Sequence, residues 1–274
     1  MNESATSQPT GLRVSQANYV AVVTIDTPPV NALTRQLNDE LTETFDRLSE
    51  DPEVRAIVLT SAGKVFCAGA DLKSRQNLGN APGALVVHLR RTRECFHAIR
   101  ECAKPVIVAI NGPALGAGLA IVASADVLVA SDNASLGLPE IDVGLLGGCR
   151  HAMRLFSHSL LRRMALTGYR VPAEELHRRG VIEQCTTREQ LLPDASSQRM
   201  ACSRMAAGTW RNGITARQAH CICRRVRRVR RCAASFSSTS RARASLFARY
   251  ETSEVRRSFA KCSSTMLKCP TKVS

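Results

Sequence analysis

Twenty-one consecutive residues without a charge, Pro105 to Ala125, constrain this chain more than any other feature. The stretch is long enough to cross a membrane, but Asn111-Gly112-Pro113 breaks it. Small residues (Ala114, Gly116, Ala117, Gly118, Ala120) crowd its second half, so it predicts two short buried elements around a tight turn. Val106 to Ile110 fits a strand buried on both faces, about Leu115 to Ser124 fits a helix, and Val127 to Ala130 reads as the next strand. Upstream, Leu12 to Asp26 reads as two strands meeting near Gln16 to Asn18. Thr34 is placed to cap a helix in which Leu37, Leu41, Phe45 and Leu48 recur at helical spacing. Ala56 to Thr60 returns to strand and Leu85 to Cys102 is helical. Short helices follow around Gly148 to Phe156, Leu160 to Thr167 and Ala173 to Arg179. Repeated strand-turn-helix units imply an α/β architecture.

Charge divides the chain in two. The net charge is +15, yet residues 1–190 hold 20 basic and 20 acidic side chains, so the excess falls after residue 190. Six of the eleven cysteines fall there too, with six arginines between Arg224 and Arg231 and a Ser/Ala/Arg-rich run from Ala233 to Arg243. Two domains are therefore expected: a core at 12–190 and a basic Arg/Cys/Ser-rich segment at 191–274. Loss of apolar periodicity, together with a jump in Arg and Cys, is what out-of-frame reading of a GC-rich gene gives, so the second segment is expected to be frame-shifted or disordered. The polar start from Met1 to Gly11 carries no apolar run, and no CxxC pair occurs, so the expected compartment is the cytoplasm.

Two loops after predicted strands are rich in small residues: Phe66-Cys67-Ala68-Gly69-Ala70-Asp71-Leu72 and Asn111-Gly112-Pro113-Ala114-Leu115-Gly116-Ala117-Gly118. Small residues let a backbone approach a ligand and leave N–H groups free to meet negative charge. A dinucleotide fingerprint would need glycine at Ile121, and a P-loop would need Gly-Lys-Ser/Thr, so both nucleotide readings fail. Two N–H groups from separate strand ends are what stabilising a thioester enolate requires.

Those two loops, with Val22 to Asp26, Asn31-Ala32-Leu33, Lys104-Pro105-Val106-Ile107, Asp126 and Leu138-Pro139-Glu140 through Gly144, resemble the enoyl-CoA hydratase/isomerase (crotonase) superfamily in order and spacing over about 12–190. The resemblance implies a repeated ββα core with a C-terminal helical region, the latter disrupted here, and assembly as homotrimers or hexamers. It also implies an acyl-CoA substrate with no separate cofactor, coenzyme A being part of that substrate. It places the oxyanion N–H groups on Ala68 and Ala117, with Ala68, Gly69, Ala70, Asp71, Leu72 and Gly116 along the CoA thioester, and it makes Glu140 the acid/base. Typical hydratases of the family carry a second glutamate where this chain has Ala120. Members with a single acid include hydratases and hydratase-lyases acting on aryl-substituted enoyl-CoAs, since one carboxylate can deliver or remove a proton alone.

Glu140 lies in an apolar setting that raises a carboxylate pKa, while Asp142 reads as a second carboxylate or as part of a helix start. The histidines His88, His97, His151, His158 and His177 lack metal spacing, and His220-Cys221-Ile222-Cys223 lacks a second ligand pair, so no metal is expected. The leading expectation is an enoyl-CoA hydratase-like lyase with an enoyl-CoA double-bond isomerase as alternative. A non-catalytic or RNA-binding protein of the same fold would have to bind nucleic acid by charge alone, with no stacking platform, so neither nucleic acid nor membrane is the expected partner.

Overall fold

The computed structural model describes residues 11–72 and 82–197, so the Arg- and Cys-rich run and the His220-Cys221-Ile222-Cys223 cluster lie outside the described residues. Strands β1 (Leu12–Ala17) and β2 (Val20–Ile25) form an antiparallel hairpin. Tyr19 and Asn18 turn it with positive φ. Helix α1 (Arg35–Glu50) starts where expected, because the Thr34 hydroxyl accepts the Leu37 N–H at 3.1 Å. Its Leu37, Leu41, Phe45 and Leu48 are all buried. Strand β3 (Ala56–Ser61), helix α2 (Ala84–Glu101) and strand β4 (Val106–Ile110) follow.

β4 does not pass straight into a helix. Ala114–Leu115 forms a short strand, β5, and helix α3 covers only Ala117–Val122, so the predicted helix from Leu115 is shorter at both ends. The remaining elements are β6 (Val127–Ser131), β7 (Ser135–Gly137), a 3-10 turn at Pro139–Val143, α4 (Cys149–Ala152), α5 (His158–Thr167), β8 (Arg170–Pro172), α6 (Ala173–Arg178) and β9 (Gln184–Thr186).

The main sheet has the order β1-β2-β3-β4-β6-β9, parallel from β2 onward, and a small sheet has the order β5-β7-β8. Parallel strands need both faces covered, and every residue of β3, β4 and β6 is buried. One face of the sheet packs against the helices through Ile57, Leu59, Val108 and Ile110. The other carries Val20, Ala56, Val58, Ile107 and Val129, and is joined by Leu191 and Ala195. The folded core thus continues past residue 190, where composition placed its end. Cys67 and Cys95 are buried free thiols, serving as small core residues.

Candidate active site

In an open parallel sheet, ligands bind beyond the carboxyl ends of the strands. Both small-residue loops emerge there, one from the end of β3 at Ser61 and the other from the end of β4 at Ile110. They are laced together by backbone hydrogen bonds. Pro113 O accepts the N–H groups of Phe66 (3.0 Å) and Cys67 (3.2 Å), and Leu115 N–H donates to Cys67 O (2.9 Å). Glycine makes the approach possible: a methyl group on Gly118 would overlap the Cys67 carbonyl, and one on Gly112 would overlap Lys64 O.

Hydrogen bonding decides which N–H groups of the first loop are available. Ala68 N–H, expected to be an oxyanion donor, is engaged: it donates to Val30 O at 3.0 Å. The next peptide unit but one is oriented differently. Gly69 O accepts the Leu33 N–H at 2.8 Å, and in a trans peptide the N–H points opposite to the carbonyl, so Ala70 N–H faces away from Leu33. That side holds the second loop, since a Cβ on Gly69 would lie 3.3 Å from Leu115 O and 3.9 Å from Ala117 N. No acceptor among the described residues meets Ala70 N–H, and Ala70 is exposed. Ala117 is the first residue of α3, where an N–H has no intrahelical acceptor. The pair left open is therefore Ala70 and Ala117; Ala68 drops out because Val30 occupies its proton.

Glu140 sits on the 3-10 turn that follows β7, which pairs with β5 and so brings the turn beside the start of α3. Its Oε1 would be 2.9 Å from a Cβ on Gly116 and 3.2 Å from one on Gly148, so the carboxyl rests on two glycine backbones. Its Oε2 is buried without a hydrogen-bond partner among the described residues. Burial pushes the carboxyl above the ordinary carboxylate range, and its own backbone N–H offsets part of the rise. Asp142 points elsewhere: its Oδ2 would be 3.2 Å from a Cβ on Gly168, at the end of α5. Ala120 is buried in α3, so a methyl group fills the position where the resemblance expects a second glutamate.

Asp71 follows the open Ala70 N–H, with its own N–H on Leu33 O at 3.1 Å, and Leu72 is exposed at the rim. Gly116 turns the chain into α3 with φ 53°, and its N–H donates to Gly137 O at 3.0 Å. Among the described residues no three His, Cys, Asp or Glu side chains cluster to hold a metal, and no helix is long and apolar enough to cross a membrane. Val30 escaped the sequence reading. Its carbonyl decides the fate of Ala68, and a backbone group carries no residue-type signal.

Known proteins resemble this chain in sequence and in fold. The Enoyl-CoA hydratase/isomerase family profile matches residues 15–223. A (7aS)-7a-methyl-1,5-dioxo-2,3,5,6,7,7a-hexahydro-1H-indene-carboxyl-CoA hydrolase of Rhodococcus jostii is 38% identical over 172 residues, 63% of this chain and 66% of that protein's length. A probable enoyl-CoA hydratase of Mycobacterium bovis is 33% identical over 202 residues, 72% of this chain and 77% of the relative. Among solved structures, an enoyl-CoA hydratase from Bacillus anthracis superimposes with a TM-score of 0.66 at 28% identity, covering 70% of this chain and 76% of that one.

Proposed function

The chain belongs to the enoyl-CoA hydratase/isomerase family, and on that premise we propose that it holds the thioester oxygen of an acyl-CoA between the N–H groups of Ala70 and Ala117 while Glu140 moves the proton at the adjoining carbon. One observation carries the reading: a carboxyl with an unpartnered buried oxygen lies against Gly116, one residue before an open N–H, across from a second open N–H on another loop. Preorganised donors lower the energy of the enolate more than that of the thioester, because negative charge develops on the oxygen only as the reaction proceeds.

For hydration of an enoyl-CoA, water adds its oxygen to the β carbon, Glu140 gives a proton to the α carbon, and it recovers one from the attacking water. The double bond is consumed, and the carboxyl ends as it began. The raised pKa of Glu140 supports this role, since it brings the protonated form closer to working pH. Coenzyme A enters as part of the substrate, lying along Ala68 to Leu72, and no separate cofactor is required.

Isomerisation uses the same parts, with Glu140 taking a proton from one carbon and returning it two carbons along. A hydrolytic reading is favoured by the 38% identical relative named as a hydrolase of a bicyclic dione carboxyl-CoA. There Glu140 would deprotonate water for attack on a ring ketone, the C–C bond from that carbon to the thioester's α carbon would break to leave the enolate on the same two donors, and Glu140 would return the proton to the α carbon. Steady-state turnover of crotonyl-CoA, an aryl-enoyl-CoA, a 3-enoyl-CoA and a bicyclic dione carboxyl-CoA separates the three. Activity on at least one, lost in Glu140→Gln, is the expected result, and full activity in Glu140→Gln overturns the assignment.

A further inference from the structure

Beneath the two donor loops lies a set of buried polar side chains that no substrate would touch. Asn31, Ser61 and Asn111 are 3%, 7% and 5% exposed, and they come from the loop after β2, the end of β3 and the residue after β4. Asn31 Nδ2 donates to the carbonyls of Ala62 and Val65, both at 2.8 Å, and its Oδ1 accepts the Thr27 N–H at 2.8 Å. The Ser61 hydroxyl lies 2.7 Å from Asn111 Oδ1 and 3.1 Å from Val65 O, the two acceptors for its single proton, and Asn111 Nδ2 donates to Gly63 O at 3.0 Å. Three carbonyls of the 62–65 turn are thereby fixed by side chains, in a stretch where no neighbouring strand could take them.

Buried amides and hydroxyls are tolerated only when their hydrogen bonds are made, and a satisfied network of this kind rigidifies what it joins. Here it joins both donors. Asn31 lies between Val30 and Leu33, whose backbone groups take Ala68 N–H, Gly69 O and Asp71 N–H, so it anchors the first loop at its beginning through its side chain and at its end through its neighbours. Asn111 opens the second loop, and Pro113 and Leu115 then bond Phe66 and Cys67 of the first. The Ser61–Asn111 contact and the Asn111 Nδ2–Gly63 O bond are side-chain ties between the two loop starts.

We propose that Asn31 and the Ser61–Asn111 pair are positioning residues that set the separation and aim of the Ala70 and Ala117 N–H groups. This rests on the oxyanion reading above. Asn31 has φ 53°, a left-handed conformation that asparagine tolerates and alanine does not, so the test is made at Ser61 and Asn111.

The readout is the absorption of 4-dimethylaminocinnamoyl-CoA, a push–pull chromophore whose band moves to the red as its thioester carbonyl is polarised. The unmodified protein is expected to shift the bound band. Ser61→Ala is expected to lose at least half of that shift and about tenfold in kcat while the probe's Kd changes less than about twofold, a milder loss than the ~100-fold that an ångström of misplacement can cause. Ser61→Thr, which keeps the hydroxyl, should restore the shift, and Asn111→Ala should behave like Ser61→Ala. Full shifts in both alanine variants overturn the positioning role, as does a loss in Ser61→Ala that Ser61→Thr fails to rescue and that simply tracks melting temperature. Probe bound by the unmodified protein without any shift is a different result: it removes the oxyanion reading, and the positioning role with it.

Discussion

Glu140 occupies a place that costs the fold something. Its charged form is desolvated, so its pKa is raised above 4.5 in the folded protein and the folded state binds the proton more tightly than the unfolded chain. Stability from this group is therefore greatest at acid pH and falls as pH rises through the folded pKa. Glu140→Gln should lose about 100-fold or more in turnover, yet melt no lower than the unmodified protein at neutral pH. Parallel rate and melting measurements check both halves. His151 titrates in the opposite sense: burial, then Arg154, Arg100, Arg150 and His97, hold its pKa down from 6.5 to about 4. Its neutral form is the folded one, so it contributes stability above pH 6.5 that is lost as pH falls toward about 4. His151→Gln should flatten the fall in melting temperature over that window. Ala120→Glu should raise hydration of straight-chain enoyl-CoAs, and rapid crotonyl-CoA hydration by the unmodified protein would show that the missing acid matters little. Glu140 was legible as a candidate only through the resemblance carried by Leu138-Pro139-Glu140, together with its apolar surroundings. The choice between Ala68 and Ala70 was not, since it depends on which peptide the distant Val30 and Leu33 engage.

Helix α3 and the loop before it work as one element. Proline is accepted at the first position of a helix, so Ala117→Pro should remove the donor while leaving a folded protein. Turnover should then drop by about 10²–10³, the scale of losing one oxyanion-hole donor. A folded Ala117→Pro protein with unchanged rate removes Ala117 from the site. Gly118→Ala tests the packing instead. Its methyl group meets the Cys67 carbonyl, a backbone group that cannot swing aside, and the expected loss is about 1–3 kcal/mol of unfolding free energy in a urea titration. The long, strongly periodic elements were read correctly from sequence, as α1 and its Thr34 cap show. The small β5-β7-β8 sheet was not, because strands of two or three residues are too short to display a period.

At the scale of the whole chain, the sequence carries two compositions. The core packs Leu191 and Ala195 beneath its sheet, so the break lies beyond the boundary drawn at residue 190, and the family match itself runs to 223. We propose that much of the segment beyond residue 223, where the family match ends, is read from a shifted frame. Translating the gene downstream of codon 190 in the other two frames should reveal an amphipathic helical sequence of balanced charge, and finding none in either frame sinks the idea. Leu85, Val86, Leu89 and Leu146 are exposed on the single chain. If subunits assemble as the family resemblance implies, this product should form trimers poorly and aggregate, and the frame-restored chain should sediment as a trimer or hexamer.

The proposed chemistry is proton exchange between Glu140 and the carbon next to a thioester held by Ala70 and Ala117. It is tested most directly by incubating the protein with a saturated acyl-CoA in D2O and following deuterium at the α carbon by mass spectrometry. Hydratase, isomerase and hydrolase readings need not be separated first. Incorporation by the unmodified protein is expected, with a loss of about 100-fold or more in Glu140→Gln, the scale of a general acid/base; exchange by Glu140→Gln at the unmodified rate would put the proton on another group.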